Sequence, residues 1–305
     1  MRIVFIGAVE FSAHCLQEIL KNQGHVVSIF TLADSRTHLH ADFANLSEIA
    51  ETNNLPIHYV RNINHPRNIK RIQAFNPDII FVFGWSQLIS QDIINIPPQG
   101  CIGTHPALLP KNRGRHPIVW ALVEGLQETG LTFFYLDEDT DSGDILWQKA
   151  IPITLEDDAA TLYQKIQKCA SAGITDFLPL LEQHQAVRTP QDHSKATYWR
   201  KRTKKDGEID WTTNTLTAYN LIRALTHPYI GAHTYHQNAE VKIWKAQLIN
   251  KSQYSPPQRS PGQIIDISAK GHLIVKTTDH ALEVSAYEHS KGVPILIGDT
   301  LETRA

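Results

Sequence analysis

Residues 2–22 read RIVFIGAVEFSAHCLQEILKN. A continuous apolar run of strand length ends at Gly7, and a stretch follows in which Cys15, Leu16, Ile19 and Leu20 share one helical face. A strand without polar alternation is buried on both sides, which is the environment of a parallel sheet covered by helices. The alternation continues outward. HVVSIFTL (25–32), PIHYV (56–60) and PDIIFVFG (77–84) are further apolar strands, and NLSEIAETNN (45–54) and NIKRIQAFN (68–76) are the intervening helices. Right-handed crossovers then predict an α/β, Rossmann-like, mostly parallel sheet.

Two more strands, GCIGTH (100–105) and GLTFFYL (130–136), flank a helix at 117–126, and GDILWQKAIPI (143–153) adds another strand. Residues 157–183 form a long helix with a stripe of Leu162, Ile166, Cys169, Ile174 and Leu178. The texture then turns polar and basic. We place a main domain at 1–190, a linker at 191–207 and a smaller C-terminal β-barrel (OB-like) domain at 208–305, where one helix precedes short alternating strands.

With 42% hydrophobic and 20% charged residues, the chain has enough apolar material for a real core. A formal net charge of -2 supplies no global attraction for nucleic acid. Cys15, Cys101 and Cys169 form neither a CxxC pair nor a metal cluster, so no metal is expected and a reducing, cytoplasmic setting fits. His38 and His40 read as solvated loop residues. No window approaches membrane-span length.

Gly7 is followed by Ala8, Val9 and Glu10 rather than a GxGxxG pattern, which reads as a plain strand-to-helix turn. His105 is the stronger candidate. It closes an apolar strand, and ligands of open α/β sheets gather at the carboxyl ends of strands. Pro106 biases it away from helical backbone, and imidazole is suited to proton transfer near neutral pH. The second candidate is YLDEDTDSGDI (135–145), where Asp137, Glu138, Asp139, Asp141 and Asp144 crowd one loop. It is a solvated loop, a calcium loop lacking its terminal Glu, or a source of one carboxylate that orients His105.

The stretch HPALLPKNRGRHPIVWALVEGLQETGLTFFYLDEDTDSGDILWQ (105–148) is similar to the signature of the formyltetrahydrofolate-dependent formyltransferases. The opening MRIVFIGAVEF, the segment PDIIFVFGWSQLI and the tail DGEIDW, NLIRAL, GAHTY and VKIWKA resemble the same family, so the likeness covers nearly the whole chain. The resemblance implies 10-formyltetrahydrofolate as donor and a primary amine as acceptor, with His105 and Asp141 catalytic. It implies a pterin pocket lined by Phe83, Trp85, Gln87, Leu88 and Ile89 with Asp137, Glu138 and Asp139. The acceptor side falls to Glu10, Arg113, Gly114, Arg115, Tyr198 and Arg202.

Two positions depart from that pattern. Gly103 stands where the family carries an asparagine that donates to the oxyanion, and Ala107 replaces a serine. Loss of one such donor costs roughly 3–4 kcal/mol of transition-state stabilisation. Thr104, Gln87 or water are the substitutes the sequence offers, and a non-catalytic folate- or sugar-binding relative is the alternative of another class.

The acceptor separates two branches. Transfer-RNA acceptors call for Lys and Arg against phosphates, yet LADSRTHLHADFANLSEIAE (32–51) has Arg36 as its one Lys or Arg, and RKRTKK (200–205) is the densest basic cluster. The sugar branch acts on nucleotide-linked amino sugars, and NRGRHPIVWAL and YWRKRTKKDGEIDW look more like it. Arg113 and Arg115 would approach a diphosphate. The expected partners are therefore a folate and a nucleotide-linked amino sugar, with methionyl-tRNA the alternative acceptor, no membrane, and a homodimer left open.

Overall fold

The computed structural model describes residues 1–33, 42–250 and 257–304. Arg36, His38 and His40 lie outside them, as does part of the loop before residue 261.

In chain order the first elements are β1 (Arg2–Ile6), α1 (Glu10–Lys21), β2 (His25–Leu32), α2 (Ser47–Thr52), β3 (Ile57–Val60), α3 (Pro66–Ala74), β4 (Ile79–Val82), α4 (Gln91–Ile94) and β5 (Cys101–His105). They are followed by β6 (Arg113–Gly114), α5 (Pro117–Val123), β7 (Glu128–Tyr135), β8 (Ile145–Pro152), α6 (Ala159–Glu182) and β9 (Tyr198–Trp199). One sheet has the order β3-β2-β1-β4-β5-β7-β8. Its first five strands are parallel, as the uninterrupted apolar runs predict.

The sheet is nevertheless mixed, because β7 runs antiparallel to β5 and β8 antiparallel to β7. The β7–β8 connection is a loop too short for a crossover helix, so the chain must turn straight back. This direction decides where the acidic loop lies. Ile102 faces Tyr135, and the Leu136 amide donates to the Cys101 carbonyl, so the loop leaves the sheet at the opposite end of β5 from His105.

Under the sheet, Phe5, Phe81, Phe83, Phe133 and Phe177 pack as an aromatic core, with Phe83 stacked on Phe81 at 5.1 Å. Each such pair adds about 0.5–1.5 kcal/mol to its area burial. The β1–α1 turn needs Gly7: a Cβ there would lie 2.5 Å from the Ser12 Cβ and 2.7 Å from the Phe83 carbonyl oxygen. Ser12 fills that close approach, accepting from the Ala8 and Val9 amides and donating to Phe83 at 2.6 Å.

Two compact units emerge. The first comprises residues 1–117, 128–152 and 164–199, the second 118–127, 153–163 and 200–305. The segment 191–207 is divided between them. Gln191 is buried and Tyr198–Trp199 is the strand β9, parallel to β6, within the first unit.

In the second unit α7 (Thr215–Leu225) precedes β10 (Ala232–His236), β11 (Ala239–Leu248), β12 (Ile264–Ile267), β13 (Leu273–Lys276) and β14 (Ala281–His289). These strands form an antiparallel sheet in the order β10-β11-β14-β13-β12. The C-terminal segment bridges to both edges, Glu302 with Tyr235 and Thr300 with Gln263. Cys15, Cys101 and Cys169 are free and buried. No helix among the described residues is long and apolar enough to cross a membrane.

A relay of hydrogen bonds ties β10 and β14 to the loop beyond. The Lys291 amide donates to His289 Nδ1 at 3.1 Å, His289 Nε2 lies 3.2 Å from His236 Nδ1, and His236 Nε2 lies 3.1 Å from Asp299. In that sense of donation His289 is neutral. Burial first, then His236 and Lys291, push its pKa below the ordinary value of 6.5. Burial likewise lowers His58 and His233. The unfolded chain therefore binds protons that the folded chain refuses, and stability falls as the pH drops below 6.5. We expect Tm to be lower at pH 5.5 than at 7.5, and His289→Gln to reduce that difference. A Tm unchanged over the interval would contradict it.

Candidate active site

His105 ends β5 and is almost fully buried. Its Nε2 lies 2.7 Å from the Asn112 carbonyl oxygen. A carbonyl can only accept, so Nε2 carries the hydrogen in the neutral ring and the Nδ1 lone pair is left free. Nδ1 lies 3.5 Å from Asp141 Oδ2. A proton taken up at Nδ1 would therefore form an ion pair with that carboxylate, as in other imidazole–carboxylate couples.

Asp141 reaches His105 because the acidic loop folds back over β5. It has left-handed backbone, φ 54°. Its Oδ2 accepts from the Gly114 amide at 2.9 Å. The loop is held at its base by the Tyr135 amide, which donates to the Asp144 carbonyl at 2.8 Å, and by Ser142, which donates to Asp137 at 2.6 Å. Gly143 is required there, since a Cβ would sit 1.9 Å from the Tyr135 carbonyl oxygen. Glu138 and Asp139 are exposed, as is Asp137.

The folded-back loop also accounts for Gly103. A Cβ at that position would meet Leu136 Cδ2 at 2.6 Å. Leu136 thus takes the space that the family's asparagine would occupy. Of the substitutes the sequence offers, the two side chains are placed elsewhere. Thr104 points to the opposite face of β5 from Gly103 and His105, by strand alternation. Gln87 is engaged at both ends, donating to the Arg61 carbonyl at 2.8 Å and accepting from the Ile63 amide at 3.1 Å. Gly103→Asn should accordingly raise kcat little by itself and more in combination with Leu136→Ala. Equal rates for the single and double variants in single-turnover assays would show that Leu136 does not obstruct the position.

The remaining predicted positions separate by environment. The Phe83 ring is wholly within the aromatic core. Trp85 and Ile89 pack with Leu136 against a core cluster that contains Val82 and Cys101. Trp85 Nε1 is a buried donor with no hydrogen-bond partner among the described residues. Leu88 is 74% exposed. Glu10 is exposed at the start of α1.

Around β6, Gly114 turns out to hold Asp141, and Arg115 is exposed. Arg113 is buried and points inward: Nη2 donates to Gln191 at 2.7 Å and lies 3.2 Å from His193 Nδ1, while Nη1 donates to Tyr198 at 3.1 Å. Arg202, in the second unit, stacks over Trp120 at 4.5 Å, and Arg200 pairs with Asp206. Asn112 and Gln191 were not singled out from the sequence. The contributions of Asn112 and Gly114 to His105 and Asp141 come from a backbone oxygen and a backbone amide, which leave no side-chain signature.

An imidazole beside a carboxylate near the strand ends of an open α/β sheet is an arrangement suited to acid–base chemistry. The chain belongs to the formyltransferase family: the family model "Formyl transferase" matches residues 1–178 and "Formyl transferase, C-terminal domain" matches 201–303. A methionyl-tRNA formyltransferase of Alkaliphilus oremlandii is 30% identical over 309 residues, covering 99% of this chain and 98% of the relative. Among solved structures, HypX from Aquifex aeolicus in complex with tetrahydrofolic acid is similar with a TM-score of 0.68 and 18% identity over 95% of this chain. This chain spans only 44% of HypX. An N-formyltransferase from Helicobacter canadensis, in complex with folinic acid and dTDP-3-aminofucose, is similar with a TM-score of 0.68 and 15% identity, over 94% of this chain and 99% of the other.

Proposed function

We propose that the enzyme transfers the formyl group of 10-formyltetrahydrofolate to the α-amino group of methionyl-tRNA. The reaction half of this reading is carried by the His105–Asp141 pair. The amine attacks the formyl carbon, the tetrahedral oxyanion collapses, and the bond to N10 of the folate breaks. One proton leaves the amine and one reaches N10, and His105 Nδ1 is the group placed to carry it. The orphaned Trp85 indole suits a pteridine, which is flat and rich in acceptor atoms. In this reading residues 1–190 are the catalytic domain in a reducing cytoplasm and 208–305 form a barrel, which the C-terminal bridges to Tyr235 and Gln263 support.

The acceptor rests on the Alkaliphilus relative, whose likeness covers 99% of this chain and 98% of the relative. Charge favours a second reading, a nucleotide-linked amino sugar, since a net charge of -2 gives phosphodiester RNA little to bind. The inward turn of Arg113 removes one of the two arginines that the sugar reading assigned to a diphosphate. Single-turnover mass spectrometry decides between them, with the formyl donor and charged initiator tRNA beside dTDP-, UDP- and CMP-linked amino sugars. Formylation of tRNA at a rate above every sugar supports the first reading. Formylation of a sugar alone replaces it with the second.

A further inference from the structure

We infer that Gln191 is a positioning residue for the catalytic carboxylate; this rests on the reading of Asp141 as catalytic. Gln191 is 5% exposed and lies fifty residues beyond the loop it holds. Its Nε2 donates to the Asp141 carbonyl at 3.0 Å and to the Gly143 carbonyl at 2.7 Å. Its Oε1 accepts from Arg113 Nη2 at 2.7 Å. The amide orientation follows from these partners, because the flipped form would set an NH₂ against the guanidinium and an oxygen against two carbonyls.

One side chain thereby joins the two loops that make the site. The acidic loop supplies Asp141, whose left-handed backbone has no helix or strand to sustain it. The β6 loop supplies the Asn112 carbonyl to His105 and the Gly114 amide to Asp141. That second loop is itself fixed to the chain beyond Gln191, since the Asn112 amide donates to Thr197 Oγ1 at 2.8 Å and the Arg113 amide to the Thr197 carbonyl at 2.9 Å. Gln191 closes the circuit: from Arg113 through the amide to Asp141, and from Asp141 Oδ2 back to Gly114. Loss of the amide donors frees the Asp141 backbone while the Gly114 contact alone retains its carboxylate. A displacement of an ångström in a catalytic group costs up to about a hundredfold in rate.

The experiment uses Gln191→Glu, which keeps the volume and an acceptor for Arg113 but loses both donors, and Gln191→Leu, which loses all three bonds. Each is made in the full-length chain, alone and with Asp141→Asn, and rates are scaled to the folded fraction measured by circular dichroism. The expected result is a fall in kcat of about 10–100-fold, KM for donor and acceptor within about twofold of wild type, and no further fall when Asp141→Asn is already present. A merely structural role would lower Tm and leave kcat per folded molecule intact. Wild-type kcat in Gln191→Glu, or an equal loss in the Asp141→Asn background, overturns the inference while a slow Asp141→Asn enzyme keeps the catalytic reading. A full-rate Asp141→Asn enzyme instead ends that reading itself.

Discussion

His105→Ala is expected to lower kcat by about 10²–10⁴-fold, the range that a positioned acid–base group contributes. The ring lies between Asp141 and the Asn112 carbonyl, so its loss removes the proton carrier of the proposed reaction and the donor to the Asn112 oxygen. Asp141 stays tethered to the Gly114 amide, so the cleft should keep its shape. The folding cost is then one hydrogen bond and a small cavity, about 1–3 kcal/mol, within the margin of an ordinary domain. Free imidazole should restore part of the rate by entering the vacated space. Asp141→Asn is the companion: its side-chain oxygen can still accept from Gly114, but the charge opposite Nδ1 is gone, and kcat should fall with little change in Tm. Donor binding measured by fluorescence, set beside kcat, separates loss of chemistry from loss of binding. A His105→Ala enzyme within threefold of wild type would remove the imidazole from the proton path.

How far these residues could be read beforehand depends on what kind of atom does the work. The parallel strands were legible because a two-sided burial leaves an unbroken apolar run, and α1 because its buried positions recur with helical period. Strand direction leaves no such trace. Residues 130–136 are equally apolar whichever way they run, so a largely parallel sheet was expected where β7 and β8 are antiparallel. His105 stood out by its place at a strand end. Asp141 was one of five acids in a loop, set apart by its place in a Ser142–Gly143 turn and by family likeness, and the structural features that distinguish it are a positive φ and a bond from Gly114. Phe83 was assigned to the pocket, but within an apolar run the sheet's pleat decides which rings face the core, and Phe83 faces Phe81, Phe5 and Phe133. Gln191 was absorbed into a polar linker, because a buried amide that bonds three distant groups looks no different in sequence from a solvated one.

Gly114→Ala should lower stability and rate together. Gly114 has φ 107°, a conformation that L side chains rarely adopt, and a Cβ there would lie 2.2 Å from the Trp199 carbonyl oxygen. That oxygen is backbone. It accepts from the Arg115 amide at 3.1 Å in the β6–β9 pair and cannot withdraw without breaking that bond. Strained backbone and forced displacement together cost about 2–4 kcal/mol. The same movement pulls the Gly114 amide away from Asp141 Oδ2, so kcat should drop by about a hundredfold as well. Gly271→Ala provides the comparison, since Gly271 has φ 78° but nothing within 4 Å of an added Cβ. It carries only the left-handed penalty, about 1–2 kcal/mol, and should leave kcat at the wild-type value. If Gly114→Ala matched Gly271→Ala in both urea midpoint and kcat, β9 would be free to yield, and the Gly114 amide would not be what sets the carboxylate against His105.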